Sequence, residues 1–160
     1  MQCFQALFQQ NNSAVIEYEG ITYRRFWPIQ VNSVVKFKLR FLHRDSKFLQ
    51  AIVLALPCGF NGKVSVMGST VPIKKAFPMV CFWEDTAPRE FNVEITNFQG
   101  ELQLCNGSDP IGIKQFCKHL SEGCAMIAQK TGDRKYRFYC HDHEYGGTCD
   151  NLVFELEILN

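Results

Sequence analysis

Alternation with period two is the feature that most constrains this chain. Val35, Phe37, Leu39 and Phe41 are apolar, and Lys36, Lys38 and Arg40 stand between them. Successive side chains of a strand point to opposite faces, so such a run is a strand with one buried and one cationic face. Phe91, Val93 and Ile95 alternate with Asn92, Glu94 and Thr96. Tyr136, Phe138 and Cys140 oppose Lys135, Arg137 and Tyr139, and Phe154, Leu156 and Ile158 oppose Glu155 and Glu157. Further strands are expected at Ala14–Tyr18, Ile21–Phe26, Phe48–Leu56, Lys63–Val66, Pro78–Trp83, Leu102–Leu104 and Cys124–Gln129.

Turn residues separate these runs. Glu19-Gly20, Asn61-Gly62 and Thr131-Gly132-Asp133 read as hairpin turns, because Asn and Gly tolerate positive φ. Asn97 to Gly100 is expected to be a turn, as is Cys105-Asn106-Gly107-Ser108-Asp109-Pro110. One short amphipathic helix is expected over 113–120, with Ile113, Phe116, Cys117 and Leu120 on one face. Short strands with frequent turns predict an all-β fold, a two-sheet antiparallel β-sandwich of jelly-roll type. A length of 160 residues suits a single domain spanning 1–160.

Composition narrows the function classes. The net charge is only +1, which argues against generic nucleic-acid binding. The basic residues near Trp27 and Tyr139 could line a single-stranded nucleic-acid or anionic glycan face, or be an ordinary solvated sheet face. The longest apolar run, Ala51 to Leu56, is too short for a membrane-spanning helix. The first residues, MQCFQALFQQNN, do not read as a signal peptide. Eight cysteines occur, several among apolar strand residues, and none in a C-x-x-C pair. They read mainly as reduced core residues, which favours a cytoplasmic over a secreted location.

Polar residues concentrate in the loop from Cys140 to Asn151. Asp142, Glu144, Asp150 and Asn151 offer hard oxygens suited to calcium. His141, His143 and Cys149 form an alternative transition-metal set. Turn chemistry alone would also explain this composition. Cys140 and His141 are neighbours on a strand, so they point apart and make a poor nucleophile–base pair. Only 17 residues follow His143, too few for a cupin-type His-x-His site with a distant third His.

The segment Gly146-Gly147-Thr148-Cys149-Asp150-Asn151-Leu152-Val153-Phe154-Glu155 resembles the C-terminal end of calcium-associated bacterial β-sandwich domains. Those end in a Gly/Asp-rich loop followed by an Asp-(Asp/Asn)-(Leu/Val)-Val-Phe strand. Asp150 and Asn151 match the acidic pair, whereas Thr148 and Cys149 depart from the pattern. The resemblance implies a surface ligand-binding module, often for carbohydrate.

The expected function is therefore a non-catalytic ligand-binding module, carbohydrate-binding and lectin-like, assisted by calcium at the 141–151 loop. Trp83, Glu84, Asp85, Asn106 and Asp109 are the expected ligand-binding residues, with Trp27 a further aromatic candidate. One alternative is a protein–protein interaction domain of an intracellular assembly. A second is a metal-dependent enzyme using His141 and His143.

Overall fold

The structure, a computed structural model, describes residues 4–55, 62–66, 69–73, 79–109, 112, 114, 124–142 and 149–160. A short helix α1 (Phe4–Gln10) precedes eleven strands. These are β1 (Val15–Tyr18), β2 (Ile21–Arg24), β3 (Trp27–Arg44), β4 (Leu49–Ala55), β5 (Gly62–Val66) and β6 (Ser69–Ile73), followed by β7 (Met79–Trp83), β8 (Glu90–Asp109), β9 (Ala125–Gly132), β10 (Lys135–His141) and β11 (Leu152–Ile158). The described pairings are all antiparallel and form one sheet, ordered β1-β2-β9-β10-β11-β3-β8-β4-β7, with β5 and β6 branching from β8. The chain is all-β and sandwich-like, as the alternation predicts.

β3 and β8, 18 and 20 residues long, form a ribbon paired from Trp27↔Leu104 to Arg40↔Glu90. Its register shifts between Ser33 and Val34. Three residues near that shift have positive φ: Ser33 at 74°, Asn97 at 56° and Gly100 at 134°. A bulge of this kind bends a ribbon and increases its twist. One half of the ribbon extends to β4 and β7; the other joins β11, β10 and β9. The two halves face each other. Trp27 meets Phe138 edge-on at 5.7 Å, and Phe82 lies 4.8 Å from Phe91.

The core lies between these halves. Phe37, Leu39, Ile95, Leu102, Leu104, Phe138, Phe154 and Leu156 are fully buried. The alternating lysines and arginines sit on the outer face among carboxylates. Lys36 pairs with Glu94 at 3.8 Å, Lys38 with Glu90 at 3.9 Å, and Arg40 and Arg137 both bind the buried Glu155. Burial opposes ionisation of Glu155, but hydrogen bonds from both guanidinium groups outweigh it and hold its pKa below the ordinary range. This face is a charge-matched sheet surface rather than a bare cationic one.

α1 covers the outer face near β2, β9 and β10. Phe4 and Phe8, one helical turn apart, pack with Ile16, Tyr23 and Ala125 in a second cluster. A seven-residue helix is too short to be stable alone, so this docking holds it. Cys81, Cys105, Cys124, Cys140 and Cys149 are free thiols, and Cys105, Cys124 and Cys140 are buried. Among the described residues no helix is long and apolar enough to cross a membrane.

Several local expectations are corrected. Asn97 to Gly100 does not end a strand: Val31↔Gly100 and Ser33↔Phe98 stay paired, and the positive φ values bend β8 instead. Cys105 to Asp109 is not a turn; it is the buried end of β8, paired with Leu49 to Val53 of β4. Asn106 is fully buried there. Asn61-Gly62 does not join a β4–β5 hairpin, because β4 pairs with β7 and β8 while β5 pairs with β6 and β8. Asn61 itself lies outside the described residues, as does most of the helix expected at 113–120. Within that span Lys114 has φ of 47°, which is not α-helical.

The bend gives a direct test. At φ 134° only glycine is unstrained, and a Cβ at Gly100 would also sit 3.4 Å from Cζ of Phe98. Gly100→Ala is expected to cost about 1–3 kcal/mol, measured by urea denaturation.

Candidate functional site

Three of the expected metal ligands converge on the β3–β4 connection, where they act as a latch. The Asp142 carboxylate accepts hydrogen bonds from the Ser46 hydroxyl and from Nε2 of Gln50, the latter at 3.1 Å. The Asp142 N–H donates to Oδ1 of Asn151 at 3.3 Å, and Nδ2 of Asn151 donates to the Asp45 carbonyl at 2.9 Å. The Asp45 N–H reaches the Asp150 carbonyl at 3.1 Å. These bonds tie the β10 and β11 ends to the chain entering β4. Glu144 and His143 lie outside the described residues. Among the described residues no three His, Cys, Asp or Glu side chains form a group able to hold a metal ion.

His141 and Cys149, from the alternative metal set, both lie at the α1 cluster. The His141 ring is 2% exposed, 5.1 Å from Phe4 and 6.4 Å from Tyr23. Cys149 packs against the same cluster, and its thiol is pushed up to about 12 by burial and by Asp150. Cys140 points the other way, into the main core, where burial raises its thiol pKa well above normal. The opposed directions of Cys140 and His141 follow from strand geometry.

Three of the five expected ligand-binding residues, Trp83, Asp85 and Asp109, do meet. Lys114 joins them: its Nζ contacts both oxygens of Asp85 at 2.7 and 2.8 Å and lies 6.0 Å from the Trp83 ring. Its N–H donates to Asp109 at 2.8 Å, and the Gly112 N–H donates to the same carboxylate at 2.7 Å. Glu84 accepts from the Gln50 N–H at 3.0 Å and pairs with Nε of Arg44 at 2.9 Å. Asn106 is not part of this corner; its Nδ2 donates to the His141 carbonyl at 2.8 Å. The carboxylates here bind the protein itself.

Two concavities escaped sequence reasoning. The first is a groove of about 350 Å³ along the start of β3, lined by Trp27, Gln30, Asn32, Val34, Tyr136 and Asn160 among others. The Trp27 and Tyr136 rings lie 4.7 Å apart, and the Arg24 guanidinium sits 5.0 Å from the Trp27 ring centre. Gln30 donates to Glu101 at 3.1 Å through Nε2, and Asn160 accepts from the Lys36 N–H at 2.7 Å through Oδ1. Each amide thus spends only one end within the protein in these contacts. Asn32 is exposed. Its signal in the sequence was the run Pro28-Ile29-Gln30-Val31-Asn32, which alternates uncharged polar and apolar residues beside Trp27.

The second is a cleft of about 520 Å³ between the C-terminal end of α1, the β2–β3 connection and β8. Phe8, Phe26, Ala55, Met79 and Cys105 supply its apolar walls, and Arg25 is the one cation among its described lining residues.

His141 offers a measurable titration. Burial lowers its pKa below the ordinary 6.5, although Asp142 and Asp150 act the other way. The folded protein therefore keeps the imidazole neutral where the unfolded chain binds a proton. Stability is expected to fall as pH drops below about 6.5 towards the folded-state pKa. His141→Phe keeps an aromatic ring against Phe4 and removes that proton. Denaturant titrations across pH 7 to 5 should show a shallower loss in the variant.

Comparison of the chain with family models, curated proteins and solved structures finds no match.

Proposed function

We propose that this chain is a non-catalytic ligand-binding module that takes carbohydrate in the Trp27–Tyr136 groove. The observation that carries the reading is the lining of that groove: two aromatic side chains beside the amides of Gln30, Asn32 and Asn160. Aromatic rings offer an apolar surface to the C–H face of a pyranose, and planar amides both donate to and accept from hydroxyls. No acidic or basic side chain is among the described lining residues, which suits a neutral polyhydroxylated ligand. The C-terminal resemblance to β-sandwich ligand-binding domains points the same way.

The groove replaces the Trp83 corner as the binding surface in this reading. Glu84, Asp85 and Asp109 already have cationic or backbone partners, and a sugar would have to displace them. Calcium is not needed at the groove, and the Asp142 carboxylate and Asn151 amide are engaged in the latch. The competing reading, a protein-interaction domain, draws on the edge strand β1 and its neighbour β2, where Val15 and Ile21 are each 40% exposed. Four residues make β1 a short edge for strand addition.

Trp27 and Trp83 are the two tryptophans of the chain, so Trp83→Phe isolates the Trp27 fluorescence. In that background a panel of neutral oligosaccharides is expected to include one that shifts Trp27 emission saturably. Tyr136→Ala or Asn32→Ala should weaken that sugar about tenfold, equivalent to ~1.4 kcal/mol. Binding by no member of the panel, or binding lost on Trp83→Phe and untouched by Tyr136→Ala, overturns the proposal.

A further inference from the structure

We propose that the cleft beside α1 is a second, independent binding site, for a small monocarboxylate with an apolar body. Arg25 would take the carboxylate, and Phe8, Phe26, Met79 and Cys105 would take the body. The volume of about 520 Å³ falls within the range of small-ligand pockets, roughly 300–1,000 Å³. Six of its eleven described lining residues are apolar, and none of the eleven is an acid.

Charge complementarity selects the ligand. Lys36, Lys38, Arg40, Arg44, Lys114 and Arg137 all have carboxylate partners. Arg25 has none among the described residues, yet it lines a cleft whose other walls include Phe8, Phe26 and Met79. Its backbone is fixed, since its N–H donates to the Ala14 carbonyl at 2.8 Å. Arg24, the preceding residue, lies instead against Trp27. The chain bends at Arg25, just past the end of β2, and the two arginines serve different surfaces: Arg24 lies over Trp27 and Arg25 lines the cleft.

A guanidinium matches a carboxylate with two parallel hydrogen bonds, and a nearby low-dielectric wall strengthens that pairing. Gln9, Asn12 and Gln103 add amide donors to the lining. An apolar body without the anion would leave Arg25 unmatched. An anion without the body would leave the aromatic wall unused.

The test uses decanoate, 1-decanol and acetate as probes, each added to the full chain by isothermal titration below the decanoate micelle concentration. Decanoate is expected to bind saturably with one-to-one stoichiometry, and decanol and acetate at least tenfold more weakly. Arg25→Gln should weaken decanoate at least tenfold, Arg25→Lys should restore part of the affinity, and Arg24→Gln should leave it unchanged. The melting temperature of each unliganded variant checks folding. If Arg25→Gln does not fold, Arg25→Lys together with the decanol comparison decides the matter. Absent saturable binding, equal binding of decanoate and decanol, or equal effects of the Arg24 and Arg25 variants would each sink the proposal. Oligosaccharide binding at Trp27 is read separately, so either site can fail alone.

Discussion

The architecture depends on one bent ribbon. β3 and β8 share fourteen paired positions, from Trp27↔Leu104 to Arg40↔Glu90, and they belong to both halves of the fold. Neither half is a free-standing sheet, because the backbone hydrogen bonds of each continue into the other. The bend at Ser33, Asn97 and Gly100 decides which residues face inward on either side of it. It brings Trp27 over Phe138 and Phe82 over Phe91, so aromatic contacts close the interior that the ribbon opens. A straight ribbon of this length would present Phe37 and Ile29 to solvent on one long face, with no layer to cover them.

The far end of the interior is closed by polar groups instead. Gln50, Asn106 and Ser108 are fully buried on the β4–β8 pair, against His141 and Asp142. Burying an amide is unfavourable unless its donors and acceptors are matched. Here Nδ2 of Asn106 and Nε2 of Gln50 are matched by consecutive residues of one strand end, His141 and Asp142. Apolar contacts tolerate sliding, whereas these bonds hold only in one register. Among the described residues Oε1 of Gln50 and Oδ1 of Asn106 are buried without partners, an unfavourable contribution of about 1–3 kcal/mol each. The register is thus fixed at some expense in stability.

The same physics explains what could be read from sequence. Val35 to Phe41 and Tyr136 to Cys140 were legible because one face is apolar and the other charged, and period two has no competing explanation. The Asn97–Gly100 bend was misread because residues that tolerate positive φ serve turns and bends alike. Cys105 to Asp109 was misread because small and polar residues signal turns only when solvent satisfies them; here β4 and the His141–Asp142 segment do so. α1 escaped because its evidence is just Phe4 and Phe8, whose partners Ile16, Tyr23 and Ala125 are recognisable only after folding. The conspicuous polar clusters, Asp142 with Asn151 and Glu84 with Asp85, are largely consumed by the fold's own hydrogen bonds. The groove, by contrast, draws on residues 27–35, Tyr136 and 158–160, which no local motif unites.

The segment Arg24 to Trp27 shows why binding surfaces gather where they do. It is the connection by which the chain leaves β2, paired to β9 through Arg24↔Met126, and starts the long ribbon. A connection freed from the continuous ladder need not alternate apolar and polar residues, so it can carry large side chains to both sides. Trp27 lines the groove with Arg24 packed against its ring, while Arg25 and Phe26 line the cleft. The backbone that presents them is nonetheless held at both ends, by Met126 and the Ala14 carbonyl at Arg24 and Arg25 and by Leu104 at Trp27. Side chains on such a segment are positioned before a ligand arrives, which reduces the ordering cost of binding. The two concavities therefore follow from one topological fact: the short passage between the sheet's outer strands and its central ribbon must cross from one layer to the other.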